Sequence, residues 1–193
     1  MSKVFLIRHG QAVDGWTSMD PGLSETGIHQ SKKLSEKMNN MVTGREAVVS
    51  SPLKRCLETA NIALAKLDVN INIDNTFAEL PSPISDLNKR VVWLKRVLPL
   101  TWEELENDPV SASSCISYSS WREDVIRSLF KLKGDSIIFS HYVVINSVIG
   151  WALNSNKVVN FNPANCSITE LEINKGKISV SSLGDENLSK VNI

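Results

Sequence analysis

A chain of 193 residues is long enough for one sizeable domain, and a chain of this size buries about 70% of the surface its unfolded form exposes. Apolar residues make up 42% and charged residues 22%, as in ordinary globular proteins, and 21 Lys+Arg balance 21 Asp+Glu. There is thus no basic excess to suit nucleic acid or an anionic membrane. Cys56, Cys115 and Cys166 are odd in number and far apart, which argues against a disulfide framework. His9, His29 and His141 show no metal-ligand spacing. No apolar run approaches a signal core or a membrane span, so a reduced, cytoplasmic protein is expected, in which the sequons at Asn165 and Asn187 carry no meaning.

In chain order, residues 3–8 read as a buried strand that runs directly into Arg8-His9-Gly10. A loop spans Gln11 to Leu23, and Ser24 then caps a helix to about Met41, with Ile28, Leu34, Met38 and Met41 on its apolar face. His29 on that helix reads as a surface residue. Residues 46–50 form a second short strand. Ser51-Pro52 reads as a helix start, with Ser51 at the N-cap and an apolar stripe of Leu53, Leu57, Ala60, Leu64 and Leu67 behind it. A third strand at 71–74 precedes a loop carrying Glu79. Residues 86–110 read as a helix interrupted at Pro99 and Pro109. Its first piece places Leu87, Val91, Leu94 and Leu98 on one side, and Lys89, Trp93 and Arg96 on the other. A serine-rich loop at 111–120 leads to a helix marked by Trp121, Val125, Leu129 and Leu132. Residues 136–140 form a fourth strand, with His141 immediately after it. A buried helix over 143–153, a closing hairpin around Asn174-Lys175-Gly176 and a frayed tail from Gly184 complete the chain. The pattern predicts an α/β sandwich, mostly parallel in its sheet, with helices on both faces. It is read as one domain over 1–193, with a short helical insertion at about 80–120 lying over the active edge.

Chemistry gathers at strand ends. Arg8 and His9 follow the first strand, Arg55 the second, Glu79 the third and His141 the fourth. In a parallel sheet these ends share the edge where open α/β sheets place ligands. An imidazole there serves as nucleophile, base or metal ligand, but a fixed guanidinium beside it opposes a metal. Two arginines, two histidines and a carboxylate suit a phosphoryl group, whose oxygens match the guanidinium fork.

The ordered motifs carry a resemblance. Arg8-His9-Gly10, Leu23-Ser24-Glu25-Thr26-Gly27 with Gln30, Ser51-Pro52-Leu53-Lys54-Arg55 with Thr59-Ala60, Ala78-Glu79-Leu80 and Ser140-His141 span positions 8 to 141. In that order they resemble the signature of the histidine phosphatase superfamily, the phosphoglycerate-mutase-like group. The resemblance implies that His9 attacks phosphorus and becomes transiently phosphorylated, its other ring nitrogen held by a backbone carbonyl. Arg8, Arg55 and His141, with Gly10, would hold the phosphate, and Glu79 would act as general acid and base. Glu103 and Glu104 are its rivals for that role. No metal or organic cofactor is implied. Two positions depart from the pattern: Tyr142 stands where relatives commonly have glycine, and Ala12 where many carry a hydroxyl. Cys56, beside Arg55, reads as inert packing.

The expected activity is hydrolysis of a small-molecule phosphomonoester. A glycerate-type phosphomutase and a non-catalytic binder of phosphorylated ligands are the alternatives. A mutase needs an extensive basic lid, and this insertion offers chiefly Lys89, Arg90, Lys95 and Arg96. Lys89, Trp93 and Arg96, with Tyr142, are expected to face the pocket and read the substrate beyond its phosphate. The identity of the substrate and the oligomeric state are not legible.

Overall fold

The structure, a computed structural model, describes residues 1–13 and 18–187. Strands β1 (Ser2–Arg8), β2 (Ala47–Ser50), β3 (Ile71–Ile73), β4 (Ser136–Ser140), β5 (Ile168–Asn174) and β6 (Lys177–Ser182) form one sheet in the order β3-β2-β4-β1-β5-β6. The first four run parallel; β5 is antiparallel to β1, and β6 to β5. The helices are α1 (Glu25–Met41), α2 (Lys54–Ala63), α3 (Leu87–Val97), α4 (Trp102–Asn107), α5 (Pro109–Ala112), α6 (Tyr118–Phe130) and α7 (Tyr142–Ala152).

Because β1 is paired on both sides and covered on both faces, its side chains are apolar in both directions of the pleat. Val4 and Leu6 join Ile138, Val125, Leu129, Val144 and Ile145 under α6 and α7. Phe5 and Ile7 meet Ile137, Phe139, Leu34, Met38 and Ala60 under α1 and α2. β1 and β4 lie side by side, Arg8 opposite Ser140, and the chain leaves them toward opposite faces, β1 to α1 and β4 to α7. This is the topological switch point where α/β sheets open a crevice. The mostly parallel sandwich expected from the sequence is the fold observed.

Several local expectations are corrected. Ile28 is exposed on α1, whose buried stripe is Gly27, Ser31, Leu34, Ser35 and Met38. Ser51 does not cap α2, which begins only at Lys54 after Leu53; the Ser51 hydroxyl is used elsewhere. On α2 the buried positions are Cys56, Thr59, Ala60 and Ala63, with Leu53, Leu57 and Leu67 only half-buried. Pro109 starts α5 rather than breaking a helix, since proline is tolerated in the first turn and Asp108 caps it. Gly184–Asn187 is not frayed: Asp185 and Glu186 lie against Asn162–Ala164. The loop expected over 11–23 lies partly, and the tail at 188–193 wholly, outside the described residues. Lys175 (φ 47°) and Gly176 (φ 76°) form the tight turn of the closing hairpin.

The segment expected as an insertion at about 80–120 holds α3, α4, α5 and the start of α6, and its Leu80, Trp93, Val97, Trp102, Leu105 and Tyr118 share an apolar cluster with Tyr142 and Val143. Through the last two it rests on the first turn of α7, directly above the carboxyl edge of the sheet.

Candidate active site

His9 follows the last paired residue of β1, and its amide donates to Ser140 O at 3.0 Å. The next residue must pass against α1: a Cβ on Gly10 would strike Gly27 O, and one on Gly27 would strike Gln11 O. The two glycines therefore allow the loop after β1 to lie on the start of α1. Gly10 N donates to Thr59 Oγ1 at 2.9 Å, and Thr59 Oγ1 donates to Arg55 O at 2.6 Å. The loop carrying His9 is thereby tied to the helix carrying Arg55. The Gly10 amide, expected from the resemblance to hold phosphate, donates here to Thr59.

The Gly10 carbonyl has another task. It lies 2.7 Å from His9 Nδ1 and accepts that nitrogen's proton, leaving a lone pair on Nε2. Arg55 Nε, which can only donate, reaches His9 Nε2 at 3.2 Å. The same guanidinium donates through Nη2 to His141 Nδ1 at 3.1 Å, and the two rings meet edge-on with centroids 5.1 Å apart. Asp20 lies 3.8 Å from Arg55 Nη1 and also accepts from the Lys54 amide. Arg8 is buried; Nη1 donates to Pro163 O at 2.7 Å, its guanidinium sits 5.0 Å over the Tyr142 ring, and its Nε has no partner among the described residues. Asn165 Nδ2 donates to His9 O at 2.9 Å.

Glu79 Oε1 accepts from the amides of Leu80 at 2.9 Å and of Val143, in the first turn of α7, at 3.2 Å. Burial nevertheless outweighs these bonds and raises its carboxyl above the usual range. Burial, reinforced by Arg55 and Arg8, holds His9 well below the ordinary imidazole value. Burial with Arg55, His9 and Arg8 does the same for His141. Both rings are therefore neutral near pH 7. Cys56 Sγ lies 3.4 Å from His141 Nε2, and burial pushes its thiol up, so it remains protonated and packs as expected.

Arg8, His9, Arg55, Glu79, Tyr142 and Asn165 line one cavity of about 170 Å³. His141 is fully buried behind Arg55, in contact with the cavity's polar wall but not exposed in it. Glu104 is spent on the capping box of α4, and neither it nor Glu103 lines the cavity. Tyr142 opens α7 in ordinary helical geometry, so the departure from glycine costs no backbone strain. Ala12 does line the cavity, and offers no hydroxyl there.

The insertion does not meet the cavity as expected. Trp93 is buried against Tyr118 in the insertion's own core, while Lys89 and Arg96 are exposed and border a shallow outer depression with Val92 and Val110. Arg96 is turned to Asp108, with two bonds of 2.9 and 3.0 Å. The residues of α3 and its C-terminal end that line the cavity are Arg90, Leu94 and Leu98. At 100° per residue, Arg90 falls in the middle of the arc formed by Trp93, Leu94, Val97 and Leu98. A cation at the centre of an apolar arc was the signal that would have found it. Ser51 and Thr59 stand in the second arginine motif but were given no role in the site, and Asn165 was missed, since each acts through a backbone or ring atom.

The family model of the histidine phosphatase superfamily (branch 1) matches residues 4–186. The chain belongs to this superfamily. Among curated relatives of this chain, a 2,3-bisphosphoglycerate-dependent phosphoglycerate mutase of Elusimicrobium minutum is 32% identical over 40% of this chain and 34% of its own. The mitochondrial serine/threonine-protein phosphatase Pgam5 of Caenorhabditis briggsae is 30% identical over 94% of this chain and 62% of its own. The chain thus spans about a third of the length of the mutase and less than two thirds of the Pgam5 protein. In fold it resembles an Entamoeba histolytica phosphoserine phosphatase mutant solved with phosphoserine, with a TM-score of 0.72 at 22% identity over 95% of this chain and 96% of that one. It likewise resembles a phosphoglycerate mutase from Bacillus anthracis, with a TM-score of 0.69 at 18% identity over 95% and 93%. The superfamily thus joins phosphatases and mutases on one fold. Among the described residues no helix is long and apolar enough to cross a membrane, and no group of three or more His, Cys, Asp or Glu is placed to hold a metal ion.

Proposed function

We propose that this chain is a phosphomonoester hydrolase working through a phosphohistidine on His9, as one catalytic domain whose insertion at about 80–120 roofs the site. One observation carries the reading: His9 Nδ1 is tied to Gly10 O while its Nε2 lone pair points at Arg55 beside the cavity. A neutral imidazole in that tautomer is a nucleophile, and the guanidinium over it marks where anionic oxygens go.

In the first step Nε2 attacks phosphorus and the P–O ester bond breaks, while Glu79 gives its proton to the leaving oxygen. Arg8 and Arg55 bind the non-bridging oxygens, and His141 supports the same anion from behind Arg55. The unpartnered Nε of buried Arg8 would gain its acceptor from the phosphate. In the second step Glu79, now ionised, takes a proton from water as the water oxygen bonds to phosphorus and the P–N bond breaks, restoring His9. All these steps are carried by side chains of this chain and water.

A hydrolase is favoured over a mutase by the insertion. Of Lys89, Arg90, Lys95 and Arg96, only Arg90 lines the cavity, which is little charge for a bisphosphate. Arg90 with Leu94, Leu98, Val143 and Tyr142 would receive the body of a small-molecule phosphomonoester; nucleic acid and membrane have no part in this reading. A reducing, cytoplasmic setting belongs to it too, in keeping with three unpaired thiols. The test is a panel of small phosphomonoesters on wild type and His9→Ala. Wild type should release phosphate and show acid-labile phosphoprotein on rapid quench; His9→Ala should do neither. Hydrolysis that persists in His9→Ala would overturn the mechanism.

A further inference from the structure

The Ser51 hydroxyl, buried and 2.7 Å from His141 Nε2, has no part in the mechanism above. Arg55 can only donate, so its Nη2 contact at 3.1 Å requires a lone pair on His141 Nδ1. A neutral ring with its lone pair on Nδ1 has its proton on Nε2, and the hydroxyl at 2.7 Å is the acceptor for it. Cys56 Sγ, 3.4 Å from the same nitrogen, is a much weaker acceptor, and its own proton reaches Ser140 O at 3.4 Å. Ser51 is itself held in place: its Oγ accepts from the Leu53 amide at 3.3 Å, in the Ser51-Pro52-Leu53 turn that precedes α2. The turn expected to cap α2 has its hydroxyl aimed instead at the imidazole.

We propose that Ser51 is a positioning residue, the far end of a relay that runs Ser51 Oγ, His141, Arg55. By accepting from Nε2 it fixes the tautomer of His141, and the resulting lone pair on Nδ1 aims the Arg55 guanidinium at the cavity. Without the hydroxyl the ring is free to carry its proton on Nδ1, where it faces the N–H groups of Arg55 donor to donor and turns the guanidinium away. Ser51 touches no substrate; its effect on turnover passes through Arg55. That effect rests on the hydrolase reading, whereas the tautomer does not.

The experiment combines nitrogen-15 NMR of the imidazoles with a double-mutant cycle, using wild type, Ser51→Ala, Arg55→Ala and the double variant. In free wild type the His141 Nε2 should show the shift of a protonated ring nitrogen and Nδ1 that of a bare one. In Ser51→Ala that pattern should be lost, and turnover of a small phosphomonoester should fall roughly ten- to hundredfold, less than for Arg55→Ala. Ser51→Thr, which keeps the hydroxyl, should retain the wild-type tautomer. In the Arg55→Ala background, adding Ser51→Ala should change turnover by less than threefold. A protonated Nδ1 in wild type, turnover of Ser51→Ala within twofold of wild type, or full additivity in the double variant would each overturn the relay. If Ser51→Ala does not fold, the wild-type tautomer decides alone. If wild type hydrolyses no ester, the hydrolase reading fails and the NMR pattern still tests the positioning.

Discussion

Arg55 is the side chain through which the rest of the site is connected. It donates to both imidazoles, lies near Asp20, and its carbonyl accepts from the Thr59 hydroxyl that also holds Gly10. In the free protein it covers the Nε2 lone pair of His9, and in the proposed mechanism it would donate to the phosphoryl oxygens of the transition state. Removing one such donor typically costs about 10²–10³ in turnover. Arg55→Ala should therefore lose roughly that factor against p-nitrophenyl phosphate, and a loss below tenfold would remove Arg55 from the transition state. In the proposed mechanism Glu79 has the complementary task. Its raised pKa keeps a larger protonated fraction available for the leaving oxygen of the proposed reaction, so turnover of esters with poor leaving groups should decline as pH rises through that pKa. Glu79→Gln should abolish this decline. With p-nitrophenyl phosphate, whose leaving group needs no proton, the same variant should phosphorylate His9 but hydrolyse it slowly, so acid-labile phosphoprotein should accumulate during turnover. If none accumulates while nitrophenolate is still released, Glu79 is not the base of the second step.

At the scale of elements, the strands and their ends were legible because they combine unbroken apolar runs with an abrupt change to Arg, His or Ser. Val4–Ile7 and Ile137–Phe139 have nowhere to go but the middle of a sheet, and Arg8, His9 and His141 follow them within two residues. The helices of the insertion were not legible in the same way. Along α3 two apolar arcs overlap, one centred on Leu87, Val91 and Leu94 and one on Trp93, Leu94 and Val97. The second wins because the Trp93 ring buries far more area than Val91, and it finds Tyr118 and Trp102 to bury it against. This rotation carries Lys89 and Arg96 outward and brings Arg90 in. Arg90→Ala should raise KM several-fold for a substrate with a second anionic group while leaving a neutral aryl phosphate little changed. Lys89→Ala should alter neither. An equal effect of Arg90→Ala on both substrates would place Arg90 at the phosphate and not beyond it. Asp108 has a different importance: 7% exposed, it caps α5 and receives the fork of Arg96. Asp108→Ala should cost about 1–2 kcal/mol in urea unfolding, mostly from the lost cap, because half-exposed Arg96 contributes little through solvent. A change under 0.3 kcal/mol, on the order of experimental scatter for a surface substitution, would show that the insertion does not depend on this cap.

Across the whole molecule, the switch point between β1 and β4 sets two histidines inside the protein without the water that would let them ionise. His9 and His141 are both held neutral, first by burial and then by Arg55. Such a site is ready for an anion, since a phosphate would cancel the guanidinium charges, but it is costly in acid. An unfolded histidine takes up a proton below about pH 6.5, and the folded rings do so only well below that value. Between the two, the unfolded chain binds more protons than the folded one, so stability rises with pH through this window and is lost as pH falls below about 6.5. From pH 7.5 to 5.5 the two rings together withdraw at most about 2.7 kcal/mol, taking 1.36 kcal/mol per proton per pH unit. The carboxylates that are held low, Glu46, Glu104 and Asp108, lose their contribution only nearer pH 4 and below, while Glu79, held high by burial, works against the imidazoles and takes off part of the drop. Urea unfolding should therefore show a midpoint that drops between pH 7.5 and 5.5, and His9→Asn should flatten the drop by about half. Added inorganic phosphate should raise the midpoint, as any ligand of the folded state does. A midpoint independent of pH over this interval would mean that the rings reach solvent and ionise freely, and with that the case for a neutral nucleophile at His9 would be lost.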